Sequence, residues 1–197
     1  MDELILARHG ESVFSERQLL NGDVLVAGPL TARGVEEARE LRRALAGIEI
    51  HLCVTSEFER ARQTADLALE GRDVPRLVTA DLNDPRYGRY EGQALEDYRG
   101  WAAASGSELE APGGGESRRQ IVARYVRAFG MLAERPEASI LAVCHSLPIA
   151  YALAARDGVP PSARVPLVLH AHPYPFDAEE LVRAADVLGG WLAAPTW

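Results

Sequence analysis

Short apolar runs separated by amphipathic helical stretches constrain this chain more than any other feature. ELILA (3–7), IEIHLCVT (48–55), RLVTA (76–80) and SILAVC (139–144) read as buried strands, with helix-period patterns between them. In TARGVEEARELRRALA (31–46), Val35, Ala38, Leu41 and Leu45 share a face, Thr31 is placed to cap the start, and Gly47 ends the helix. Ser56 with Glu59 has capping-box spacing for EFERARQTADLAL (57–69), as does Ser117 with Gln120 for RRQIVARYVRAFGMLAE (118–134). Further helices are expected over ALEDYRGWAAA (94–104), LPIAYALAA (147–155) and from about Ala178 to Leu192. ARVPLVLHAH (163–172) reads as an edge strand because of its proline.

This alternation predicts an α/β fold, a three-layer sandwich whose mostly parallel central sheet is flanked by helices. With 197 residues, 47% of them hydrophobic, one domain over 1–197 has enough apolar material for a full core. An irregular lid or insertion is expected over about 81–116, where the periodicity breaks down.

Charge narrows the function. The net charge of −8 argues against nucleic-acid or anionic-membrane partners, and no apolar stretch approaches the roughly 20 residues that span a membrane. All 21 basic residues are arginine, so no lysine can serve as a Walker-type phosphate ligand or a Schiff base. Cys53 and Cys144 lie inside apolar runs and read as buried thiols of a cytoplasmic protein, and the Asp2-Glu3 start lacks the features of a secretory signal. His170 and His172 share a strand face but have no carboxylate or cysteine constellation beside them, so neither a metal nor another cofactor is expected.

In open parallel sheets ligands bind beyond the carboxyl ends of the strands. Arg8 and His9 directly follow the first apolar run, His145 directly follows SILAVC, and Arg60 lies just past the second strand. If these strands are parallel, two arginines and two histidines gather at one edge and form an anion pocket, reinforced by the helix starts after Ser56 and His145.

Arg8-His9-Gly10-Glu11 resembles the signature of the histidine phosphatase superfamily, in its phosphoglycerate-mutase-like branch. The resemblance continues through Pro29-Leu30-Thr31, Ser56, Arg60-Ala61, Gln63-Thr64-Ala65, Gly88, Glu91-Gly92, Pro112, Gly115-Glu116-Ser117 and His145, in family order over about residues 3–155. It implies a phosphoglycerate-mutase-like fold and a metal-independent phosphatase that hydrolyses a small phosphomonoester. His9 would be the nucleophile that forms a phosphohistidine, Arg8 and Arg60 would clamp the phosphoryl oxygens, and His145 would be a further donor to them.

Where the family places a proton-transferring glutamate, this chain has Asp84, shorter by one methylene, with Glu91 and Glu116 as fallbacks. Ser15 stands where the family commonly has a phosphate-binding asparagine, and Asn21-Gly22 resembles a later polar-glycine pair of that loop. Asn21, Arg86, Tyr87 and Tyr90 are the substrate-side candidates, with Arg89 and Trp101 in the same irregular segment. A phosphoglycerate-type mutase and a noncatalytic phosphoester-binding protein are the alternatives. The expected partner is a small phosphorylated metabolite, and a homodimer is the one assembly considered.

Overall fold

A computed structural model describes all 197 residues. Its elements run β1 (Glu3–Arg8), α1 (Val13–Glu16), α2 (Ala32–Ala44), β2 (Leu52–Thr55), α3 (Glu59–Ala68), β3 (Arg76–Val78), α4 (Leu95–Ala104), α5 (Arg118–Ala133), β4 (Ser139–Cys144), α6 (Ser146–Arg156), β5 (Pro173–Phe176) and α7 (Ala178–Ala193). The sheet has the order β3-β2-β4-β1-β5, parallel except for β5. It is the α/β sandwich that the alternation of strands and helices predicts.

The pleat divides the core in two. Leu4 and Leu6 of β1, Val54 of β2, and Ile140 and Ala142 of β4 pack with α5, α6 and α7 through Tyr125, Phe129, Ile149, Leu181 and Leu188. Ile5 and Ala7, Cys53, Leu141 and Val143 face the other way, against Leu41, Leu45, Ala61 and Ala65 of α2 and α3. Successive strand side chains alternate faces, so β1 and β4 serve both layers and every residue from Leu4 to Ala7 is buried. A third, small cluster of Leu20, Tyr87, Tyr98, Ala102 and Ala111 holds the segment between β3 and α5, where two 3₁₀ turns (Ala80–Leu82 and Gly88–Tyr90) precede α4.

Thr31 caps α2 by accepting from the Gly34 amide, and the Ser117–Gln120 box closes reciprocally on α5. Two local expectations fail. Ser56 caps nothing: the chain bends at Glu57 and Phe58, Phe58 has extended dihedrals, and α3 begins at Glu59 without a side-chain cap. Residues 163–172 form no strand, and the edge of the sheet is PYPF, antiparallel to β1. Pro173 and Pro175 alternate along that strand, so their missing N–H groups fall on its outer side, the position where a sheet tolerates proline. The 163–172 stretch instead crosses the strand ends, with Leu167 and Leu169 exposed.

Gly10 is required by close approach. A Cβ there would lie 2.4 Å from the carbonyl oxygen of Gly34 in α2, and one on Gly34 would lie 2.0 Å from that of Glu11. The backbone that carries His9 is therefore pressed directly against a helix.

Candidate active site

Parallel pairing of β1, β4 and β2 brings their carboxyl ends together, and the polar residues that end each apolar run meet there. His9 is 3% exposed, Arg60 3% and His145 0%. His9 Nδ1 lies 2.7 Å from its neighbour's carbonyl, Gly10 O. A carbonyl only accepts, so Nδ1 carries the proton and Nε2 keeps its lone pair. That lone pair accepts from Arg60 Nε at 3.1 Å. Burial, then the positive charges of Arg60 and Arg8 and the nearby His145, hold the His9 pKa well below the ordinary 6.5, so the ring is neutral at physiological pH.

Arg60 enters from the first turn of α3, its guanidinium 4.1 Å over the Phe58 ring. Nη1 donates to Asn21 Oδ1 at 2.7 Å, and Nη2 donates to Asn21 O at 3.0 Å and to Asp84 Oδ2 at 2.9 Å. Asp84 Oδ2 also lies 3.1 Å from His145 Nδ1. Burial pushes the Asp84 carboxyl up, but His145 and Arg60 outweigh it and hold the group well below the usual carboxylate range. Burial drives His145 down to about 4 against the pull of Asp84, so it too is neutral. Its Nε2 lies 2.9 Å from Ser56 Oγ. The hydroxyl donates there, and the imidazole proton faces Asp84 from Nδ1.

Arg8 Nη1 donates to the Val168 carbonyl at 2.8 Å, while its buried Nε has no partner. Ser15 lies on the same wall, its hydroxyl 3.0 Å from that of Ser12. A cavity of about 470 Å³ opens from these groups, with Phe14, Leu20, Leu95, Leu147 and Val165 among its apolar walls.

Sequence-level candidates fall into two groups. Arg8, His9, Ser15, Asn21, Arg60, Asp84 and Tyr87 all line this cavity, and His145 closes its floor through Asp84 and Arg60. Arg86 and Tyr90 do not. The Arg86 side chain is exposed and borders a second cavity of about 490 Å³ that shares only Asp84 with the first, and Tyr90 packs on Tyr98 and Trp101. Glu91 and Glu116, the fallback acids, are engaged elsewhere. Glu91 accepts from the Gly22 and Tyr87 amides, and Glu116 accepts from the Arg86 amide and pairs with Arg124.

Two residues at the site gain a place that sequence reading did not give them. Ser56, whose spacing from Glu59 predicts a helix cap, instead orients His145. His170, weighed as a metal ligand, donates from Nδ1 to the carbonyl of His9 at 2.8 Å, while His172 packs on Tyr174. Ligand atoms of His9, Asp84 and His145 lie within 4.8 Å of one another, a spacing a metal could use, but the Arg60 guanidinium sits on two of them and opposes a cation.

A buried, neutral histidine among arginines at the carboxyl edge of a parallel sheet defines a phosphoryl-binding α/β protein. Residues 4–172 match the model of the histidine phosphatase superfamily (branch 1), and the chain belongs to that family. It is 31% identical over 169 residues to an adenosylcobalamin/α-ribazole phosphatase of Escherichia coli (strain K12), covering 81% of each chain. A 2,3-bisphosphoglycerate-dependent phosphoglycerate mutase of Methylobacterium sp. (strain 4-46) is 37% identical over 134 residues, 62% of this chain and 64% of that one. The crystal structure of the α-ribazole phosphatase from Shigella flexneri superposes with a TM-score of 0.76 at 28% identity, covering 89% of this chain and 90% of that one. The chain is thus a phosphatase of the phosphoglycerate-mutase-like fold.

Proposed function

We propose that the chain hydrolyses a small phosphomonoester through a phosphohistidine on His9, without a metal. The observation that carries this is the pinned tautomer: Gly10 O fixes the proton on Nδ1, which leaves on Nε2 a lone pair that Arg60 Nε holds until a phosphoryl group takes that donor.

In this reading the substrate phosphoryl group takes the guanidinium donors of Arg8 and Arg60, with Ser15 and the His145 Nδ1–H completing its oxygen contacts. Drawn onto Arg60, the phosphoryl charge removes one partner of Asp84 and places a like charge beside it, which raises the carboxyl's proton affinity. His9 Nε2 then forms the N–P bond as the P–O ester bond breaks, and the proton held on Asp84 goes to the leaving alkoxide. Water attacks next. The N–P bond returns its electrons to Nε2, and Asp84 takes the proton of the water. Asn21 holds Arg60 in register, while Tyr87 and the apolar walls contact the body of the ester.

The relatives named above as α-ribazole phosphatases support a small phosphorylated metabolite, and the apolar cavity walls support an ester whose body is partly apolar. Residues 81–116 are read as part of one domain, a cover forming one side of that cavity. No helix is long and apolar enough to cross a membrane. A cytoplasmic location is proposed from the two buried, unpaired thiols of Cys53 and Cys144.

The test is phosphate release from an aryl phosphate in the presence of EDTA, with acid-labile, alkali-stable phosphate trapped on the wild-type chain and absent from His9→Ala. Phosphate binding with no turnover on any ester would leave a binding protein. Transfer between two hydroxyls without phosphate release would make it a mutase.

A further inference from the structure

One wall of the cavity holds a cation that the proposed phosphoryl chemistry does not use. Arg118 opens α5 directly after its Ser117 cap and is only 7% exposed. Nη2 reaches the Ala163 carbonyl at 3.4 Å and the Tyr151 hydroxyl lies close to the guanidinium, but Nε and Nη1 make no hydrogen bond of good geometry. The titratable groups around it are Tyr87, Tyr98, Tyr125 and Tyr151, all uncharged at neutral pH, with the Tyr98 ring 5.5 Å from its guanidinium carbon. Arg60 and Arg124 have carboxylate partners in Asp84 and Glu116, and Arg8, which like Arg118 has only a carbonyl acceptor, is the arginine assigned to the reacting phosphoryl group.

Three physical terms act against such a residue. Its charge is desolvated, it has no counter-ion, and it sits at the positive end of a 16-residue helix. The Tyr98 ring offsets only part of this. A water molecule can satisfy the free N–H groups but not the charge. A second orphan lies beside it, since the buried Tyr98 hydroxyl also lacks a partner. Tyr98 and Arg118 line the same cavity as Arg8, His9 and Arg60. The donors of this wall, a cation and a hydroxyl, suit an anion.

We propose that Arg118, with the Tyr98 hydroxyl, binds a second anionic group of the substrate, a carboxylate or a second phosphate. The preferred substrate is then a phosphomonoester whose apolar body carries another negative charge. This deepens the phosphatase reading and rests on its placing the reacting phosphoryl group at His9.

The test measures binding and turnover separately. Binding of three esters to the His9→Ala chain, which leaves them intact, is followed by calorimetry: phenyl phosphate, its 4-carboxymethyl derivative and benzene-1,4-diyl bisphosphate. One or both of the doubly anionic esters should bind about 10- to 100-fold more tightly than phenyl phosphate, the range for a charge-assisted buried contact. Which of the two gains tells carboxylate from phosphate. Adding Arg118→Gln should cut that gain to about threefold or less, and Arg118→Lys should restore part of it. Tyr98→Phe, which removes a donor without changing the packing volume, should cost a smaller share and serves if Arg118→Gln does not fold. Equal affinity for all three esters, absence of binding, or a gain that survives both Arg118→Gln and Tyr98→Phe overturns the proposal. Turnover of phenyl phosphate by the unmodified chain tests the phosphatase reading alone: no hydrolysis with the binding preference intact sinks the enzyme and keeps the subsite.

Discussion

Asp84 occupies Arg60: its Oδ2 accepts from Nη2 at 2.9 Å, so a carboxylate already holds a donor that an incoming phosphoryl group needs. Asp84→Asn removes that competing charge and the proton carrier together. Inorganic phosphate or vanadate should bind several-fold more tightly, while turnover of an alkyl phosphate falls about 100-fold. Turnover of an aryl phosphate, whose leaving group scarcely needs a proton, should fall far less. Comparable losses on both esters would remove Asp84 from proton transfer.

His9→Ala should reduce phosphate release about 1000-fold or more, because it removes the nitrogen that takes the phosphoryl group. Its urea midpoint should stay near that of the unmodified chain. Residual turnover within tenfold of the parent would exclude His9 as nucleophile.

Ser56→Ala leaves His145 Nε2 without its donor in a fully buried position. The imidazole can then place its proton on either nitrogen, and kcat should drop about tenfold with about 1 kcal/mol of stability lost. Ser56→Thr, which keeps the hydroxyl, should recover most of both. A stability loss with kcat unchanged would make the contact purely structural.

Acid should destabilise the fold through His145. Its pKa is lowered to about 4 in the native state, against an ordinary 6.5. Between those values the unfolded chain takes up a proton that the folded chain refuses, so stability falls as pH drops from 6.5 toward 4. Asp84, whose carboxyl is depressed by its native partners, adds a loss of the same sign at still lower pH. Urea midpoints at pH 7 and pH 4.5 should differ by a few kcal/mol in converted stability. His9, held well below 6.5 by burial and by the charges around it, adds a loss of the same sign, so His145→Gln should lower the slope without abolishing it, and an unchanged slope would place the acid sensitivity elsewhere.

Gly10→Ala puts a methyl group 2.4 Å from the Gly34 carbonyl. Backbone has to move on one side, at a cost of about 2 kcal/mol or more, and His9 moves with it. Thermal melting should show the loss, and kcat should fall in parallel.

The strand-end residues were legible because an apolar run that stops at Arg8-His9 or at His145 announces both the end of burial and a polar group held there. Ser56 was misread for a local reason. Its spacing from Glu59 copies a capping box, but the helix starts only after Phe58, whose extended dihedrals set its ring beneath Arg60. The edge strand was hidden by Pro173 and Pro175, which depress strand propensity everywhere except on an outer edge. Arg86 and Tyr90 share an irregular stretch with Tyr87, and only the 3₁₀ turn at Gly88–Tyr90 decides which side chains face the cavity. Arg118 was invisible in sequence because its lack of an ion pair is a property of packing: Glu116, two residues before it, turns to Arg124 instead.

The small cluster of Leu20, Tyr87, Tyr98, Ala102 and Ala111 is separate from the two large cores that fix the strand ends. Substitutions in that cluster can therefore reshape the wall that meets the ester's body while β1, β2 and β4 keep His9, Ser56 and His145 in place. Selection on such a scaffold can trade one metabolite for another without rebuilding the reaction.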